Sequence, residues 1–328
     1  MSPADQRPEP PEEADVARLR TVGVTGRLNK VTTADFAAEP SAGRSFHDFL
    51  DGLPRVLAAD SLRTVARGVA SAMRARKGIV WLLGAHVIKT GLSPILVRLI
   101  ERGGVTFVAG NGAVAIHDYE IARWGATSED VEAGLVDGTF GMAEETGREM
   151  NEAIVAGAER GMGMGEALGW ALSQRDDLVA PGRSVLLAAH LAGVGCGMHA
   201  AMGAEIIHQH PRADGAAIGE TSLRDFRRLA GHLPSLHEGG FVLNVGSAVI
   251  MPEVFLKALA IARNLHDGVP RGFDTADFDM IRHYRPRMNV VERPTRTGGG
   301  TGYQVTGHHE IMIPMLAWAI EEYLAERA

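Results

Sequence analysis

Polar side chains able to do chemistry stand just beyond several short apolar runs of this chain. His86 and Lys89 follow the run at 79–83, and Asn111, His117 and Asp118 follow the run at 105–109. His190 follows residues 184–189, Asn244 and Ser247 close residues 241–245, and His308 and Glu310 open the last apolar stretch. A histidine oriented by a carboxylate takes up a proton near neutral pH, which is what abstraction from a carbinol or an amine requires. His308 and His117 are the candidates for that base, with Asp118 or Glu310 as orienter, and Lys89 is placed to hold a phosphate or carboxylate. Each side chain also has a plainer reading as a hydrogen-bonded loop or helix-end group. It is their recurrence at one edge that points to a shared polar site.

The elements that position them follow from periodicity. Residues 79–83 and 105–109 read as strands buried on both faces, with residues 87–100 repeating apolar groups at helical spacing between them. Gly110, Asn111 and Gly112 lead into a second helix, so the two units form a strand-helix-strand-helix frame whose polar residues collect where ligands bind in open α/β sheets. Further strands are expected at 184–189, 241–245, 276–281 and 288–291, and helices at 142–158, 163–174, 226–233 and 252–264. Ser128 and Glu132 suggest a capping box one residue longer than ideal, and Glu144 and Glu145 read as the solvated start of a helix. The fold class is α/β, Rossmann-like, with a mostly parallel central sheet flanked by helices.

The 328 residues divide into a Pro- and acid-rich tail at 1–20 read as disordered, an arm and helices at 21–76, and the α/β domain at 77–328. A net charge of −7, with no basic stripe, excludes a nucleic-acid footprint. Apolar stretches are broken by Gly, His or charge before spanning length, so no membrane role is expected. The single cysteine, Cys196, points to a reducing cytoplasm, and the preference for Ala, Gly and Arg over Lys to a GC-rich bacterial source. His199, His208, His210 and Glu205 are spaced unlike a zinc finger or an HExxH helix, so no metal is assigned.

The succession GAHVIKTGLSPILVRLIERG, VTFVAGNGA, His117-Asp118, FVLNVGSAVIMPEVFLKALAIARN and YQVTGHHEIMIPMLAWAI, over residues 60–325, resembles the deoxyhypusine synthase family, whose fold is an NAD-binding Rossmann-like domain. The resemblance places Gly84, Ala85, His86, Thr90 and Gly91 where that family holds the dinucleotide, with Asn111 and Gly112 in a second Gly-rich turn and Asn244, Gly246 and Ser247 in a third. Asp118 matches an acidic residue of the family's substrate pocket, and His117 replaces its acidic neighbour. The resemblance also implies a homo-oligomer, a tetramer. The family's imine-forming lysine is missing: the corresponding stretch, VERPTRTGGGTGYQV, holds Arg293 and Arg296, and the chain's lysines are Lys30, Lys77, Lys89 and Lys257. An arginine stays protonated and forms no imine, so deoxyhypusine synthesis itself is not expected.

Three functions fit these residues. The first is an NAD-binding oxidoreductase or transferase acting on a small polar amine, alcohol or sugar. The second is a phosphosugar or nucleotide-sugar isomerase or lyase that grips phosphate with the Gly-rich loop from Arg293 to Gly302 and binds no nicotinamide. The third is a non-catalytic paralogue serving as a partner subunit.

Overall fold

The computed structural model describes residues 11–326. Of the expected disordered tail, residues 1–10 lie outside the described residues, while 11–20 are exposed and carry a single 3-10 turn at Val16–Arg18. The chain then forms α1 (Phe46–Gly52) and α2 (Leu57–Arg74). Ser45 and Asp48 cap α1 reciprocally, and the Arg63 guanidinium of α2, buried, donates to the carbonyls of Leu50, Leu53 and Pro54 where α1 ends.

Six parallel strands form one sheet: β1 (Ile79–Leu83), β2 (Phe107–Asn111), β3 (Gly195–His199), β4 (Phe241–Val245), β5 (Asp274–Asp279) and β6 (Gly302–Thr306). Their order is β3-β2-β1-β4-β5-β6, the doubly wound arrangement in which connections run outward in both directions from β1. β1 and β4 are buried along their whole length because helices cover both faces. Trp81, Leu83, Leu243, Val245 and Phe278 fill one face, and Val80, Leu82, Phe107 and Val242 the other.

Between β1 and β2 run α3 (Ala85–Lys89) and α4 (Ser93–Glu101), where one helix is expected from 87 to 100. Gly91, at φ +79°, breaks the run, and Pro94 in the first turn of α4 restarts it. After β2 come α5 (Gly112–Trp124), α6 (Val131–Asp137), α7 (Glu144–Glu159), α8 (Met164–Ser173) and α9 (Val185–Ala192). Asp130, not Ser128, caps α6. Residues 184–189, expected as the third strand, begin α9 instead: the Ser184 hydroxyl and the Asp118 carboxylate accept its first amides. An apolar run of that length reads equally as a buried strand or a buried helix, and the cap decides it. The third strand is the glycine-rich GCGMH that follows.

α10 (Gly215–His232), capped by Asp214, is far longer than the helix expected at 226–233, and α11 (Ile250–Leu265) follows β4. Residues 288–291, expected as a strand, lie in a π-turn at 287–292 between α12 (Tyr284–Pro286) and α13 (Arg293–Arg296). β6 then leads into α14 (His309–Ala325), which packs against α2. Among the described residues no helix is long and apolar enough to cross a membrane.

Candidate active site at the carboxyl edge of the sheet

Because the crossovers diverge on either side of β1 and β4, the turns after these two strands stand side by side at the carboxyl edge, the switch point where open α/β sheets bind ligands. The rim is built in steps. The Gly84 amide donates to the Val245 carbonyl (2.8 Å), the Gly246 amide to Phe278 (3.0 Å) and the Gly307 amide to Asp279 (3.1 Å). Gly84 has to be glycine, since a Cβ there would stand 2.0 Å from the Gly246 carbonyl oxygen. Gly246 has φ +70°, and the His309 ring lies across the space a side chain would take. The two turns therefore meet backbone to backbone.

Over this floor two histidines are joined. His86, in the first turn of α3, and His309, the first residue of α14, place their Nδ1 atoms 3.0 Å apart. His309 Nε2 stands 3.1 Å from the Phe278 carbonyl oxygen, which can only accept, so Nε2 carries the proton and His309 Nδ1 presents its lone pair. His86 must then donate from Nδ1, leaving its Nε2 lone pair free. Burial holds His309 below the ordinary histidine range and keeps it neutral. His86 can gain a proton at Nε2 without losing its bond to His309, which suits a base that must stay oriented through a reaction.

β5 supplies the acids. Its DTADFD sequence puts Asp277 and Asp279 on one face of a buried strand, and burial, reinforced by Asp279, pushes the Asp277 carboxyl up to about 6. The Asn244 amide donates both to Asp277 (2.8 Å) and to the Ser247 carbonyl (3.1 Å), and the Ser247 hydroxyl accepts from the Met251 amide at the start of α11 (3.2 Å). These side chains thus shape the β4 turn. Asp279 stands 3.9 Å from His309 Nε2.

Lys89, His117, Glu120 and Glu205 line a smaller cavity of about 190 Å³ beyond β2. His117 Nδ1 donates to the Thr127 hydroxyl (2.7 Å), which in turn donates to Glu120 (2.5 Å), so His117 has a carboxylate orienter through threonine. Burial and the Lys89 charge pull His117 down to about 4, leaving it a weak base. Asn111 caps α5 by accepting from Val114, and Gly112 donates to the buried Glu205, whose carboxylate fills the position of a Gly112 Cβ.

The remaining expected residues lie elsewhere. Asp118, next to His117 on α5 and about 100° around it, is fully buried and accepts from Ser184 (2.5 Å), Val185 (2.7 Å) and Leu186 (3.1 Å) as the cap of α9. His308 and Glu310 are exposed beside each other, 3.7 Å apart, while their neighbour His309 turns inward. Thr90 and Gly91 close α3, the Thr90 hydroxyl donating to the His86 carbonyl. His190, at the end of α9, lines a cavity of about 470 Å³ at the opposite, amino edge with Phe107 and Gly195. The Gly298–Gly300 loop is at that amino edge too, bonded to Gly272 where β5 begins. Arg293 and Arg296 donate to Asn289 and Glu292, so they are engaged by the chain itself.

His309, Asp277, Asp279 and Glu120 are the site residues that sequence reasoning passed over. Acids at alternate positions of an otherwise buried strand were the signal for the two aspartates; for His309 only the helical phase of α14 decides.

No protein-family model matches the chain, and no curated protein does. Among solved structures, a putative deoxyhypusine synthase from Entamoeba histolytica superposes with TM-score 0.50 at 11% identity, over 86% of this chain and 95% of that one. Unliganded AgrE superposes with TM-score 0.50 at 16% identity, over 82% of this chain and 34% of that one. ArgZ, an arginine dihydrolase from cyanobacteria, gives 0.48 at 14%, over 81% and 33%. The chain thus spans about a third of the length of AgrE and ArgZ. At these identities the likeness establishes a fold: an α/β, Rossmann-like sheet shared with deoxyhypusine synthase-like structures.

Proposed function

We propose that the chain is an NAD-dependent enzyme that oxidises a small polar amine or alcohol at the β1/β4 switch point, with His86 as the proton acceptor. The observation that carries the reading is the His86–His309–Phe278 chain of hydrogen bonds standing directly over the switch point. Gly84, Ala85, Gly246 and Ser247 would hold the cofactor, because they form the adjoining turns after β1 and β4 at the switch point, where loop amides and a helix start come together. Bound there, the nicotinamide would take up the hydride from the substrate carbon. His86 Nε2 takes the proton from the substrate hydroxyl or ammonium, and His309 holds the imidazole in one orientation in both protonation states. The second expected function, a phosphate-gripping isomerase or lyase, loses its grip loop to the amino edge.

The test is calorimetric titration of the purified chain with NAD and NADH, followed by turnover of a panel of primary amines and secondary alcohols read as NADH absorbance. Saturable binding, kept in His86→Gln while turnover falls at least about a hundredfold, is the expected result. A folded sample that binds neither nucleotide overturns the proposal.

A further inference from the structure

Asp279, the last residue of β5, is a buried carboxylate to which, among the described residues, no lysine or arginine is paired. Its Oδ1 accepts from the Met280 amide (2.7 Å) and stands 3.9 Å from His309 Nε2, the nitrogen whose proton goes to the Phe278 carbonyl. The Asp279 carbonyl accepts from the Gly307 amide (3.1 Å), which ties β5 to the turn that opens α14. Asp277, two residues earlier on the same face of the strand, is taken up by the Asn244 amide instead.

The histidine pair needs such a neighbour to carry charge. His86 and His309 both lie in the first turn of a helix, where unpaired backbone amides disfavour a cation. Burial and His86 oppose positive charge on His309, while the Phe278 carbonyl, Asp279 and Glu310 favour it. Glu310 is exposed, so water screens it, and Asp279 is the acid whose field is least weakened. The other titratable groups on these elements are Lys89, one turn beyond His86 on α3, the exposed His308 on the approach to α14, and Asp277 with His283 at the end of β5.

We propose that Asp279 is the positioning residue of the base: facing His309 at Nε2, its carboxylate holds that ring in the Nε2–H tautomer and makes Nδ1 a stronger acceptor, which stabilises the charged form of His86. The substrate proton goes to His86 Nε2. The Nδ1 proton of His86 stays where it is and is held more tightly by the His309 lone pair. The inference rests on the reading of His86 as proton acceptor, but the pair can be followed with no cofactor or substrate present.

The test is nitrogen-15 NMR of the full chain with labelled histidine side chains, assigned through His86→Gln and His309→Gln. In the wild type near pH 8, His309 is expected as the Nε2–H tautomer and His86 as the Nδ1–H tautomer; the reverse tautomer on His309 overturns the inference without any variant at position 279. In Asp279→Asn the pH at which His86 takes up its proton should fall by about one unit or more, whereas Glu310→Gln, which removes an exposed charge from the same helix start, should move it by less than about half a unit. An unchanged His86 titration in Asp279→Asn, with circular dichroism showing a folded chain, overturns the inference, as does an equal shift in both variants. A wild type whose His86 responds to Asp279 in this way but which binds no NAD would support the pairing and refute the proposed oxidation alone.

Discussion

Asp225 of α10 is a buried carboxylate whose replacement by asparagine should become more favourable to stability as pH rises. Its Oδ2 accepts from both the Gly165 amide at the start of α8 and the Met198 amide of β3, each at 2.9 Å, while Oδ1 has no partner. Burial pushes the group up to about 7, outweighing those two bonds and the nearby Arg228. A carboxyl held above its unfolded value binds its proton more tightly in the folded state. Its contribution to stability is therefore complete below about pH 4 and is lost as pH rises through about 7. In Asp225→Asn the amide oxygen can take the Oδ2 position and keep both bonds, and the NH₂ group falls where Oδ1 is unpartnered. The variant pays a fixed cost for an unpaired buried amide, about 1–3 kcal/mol, but carries no charge to desolvate. Between pH 5 and pH 8 the stability of the variant relative to wild type should thus rise by about 3 kcal/mol, whatever the fixed cost. Urea unfolding of both proteins at the two pH values measures this difference of differences directly. A relative stability that does not change with pH would show that Asp225 is ionised throughout, and the account of its burial would be wrong.

Gly84→Val drives a side chain into the Gly246 carbonyl and forces the β1 and β4 turns apart. It should cost about 2–3 kcal/mol in chemical unfolding and abolish any nucleotide binding seen by calorimetry. Arg123→Met removes the main partner of the buried Glu149 carboxylate, which Arg123 holds through two bonds at 2.8 and 3.2 Å, and leaves it the Tyr119 hydroxyl at 3.2 Å and Arg175 at 3.5 Å. The expected loss is about 3 kcal/mol, and adding Glu149→Leu should recover part of it; a double variant no better than the single one would refute the assignment.

Much of the frame was legible in the sequence because its signals are local. The β1 and β4 runs are short, β-branched and bounded by glycine, and their limits are found where the pattern puts them. α9 and the 287–292 turn were not legible, for different reasons. The run VLLAAHLA is apolar on every side, so only the Ser184 and Asp118 caps, one of them supplied from 66 residues away, tell a helix from a strand. Residues 288–291 are β-branched in part, but Pro286 and Pro294 flank them and they lie within the helical crossover between β5 and β6, which pair with each other directly.

The candidate site shows the same division at finer scale. The doubly wound order fixes which edge of the sheet gathers polar groups, so His86, Gly84, Gly246 and Ser247 could be placed there from strand ends alone. Which member of an adjacent pair enters the site is set by helical phase, and one residue turns a side chain by about 100°. Phase sends His309 onto Gly246 and leaves His308 in water; it also turns His117 toward Thr127 and Asp118 toward α9. Only where a helix starts, to within one residue, decides between them, and sequence patterns place helix starts less finely than that. The chemistry then follows from the partner each residue meets. A carbonyl at His309 Nε2 makes that ring an acceptor toward His86, and the proton-accepting role proposed for His86 rests on that pairing.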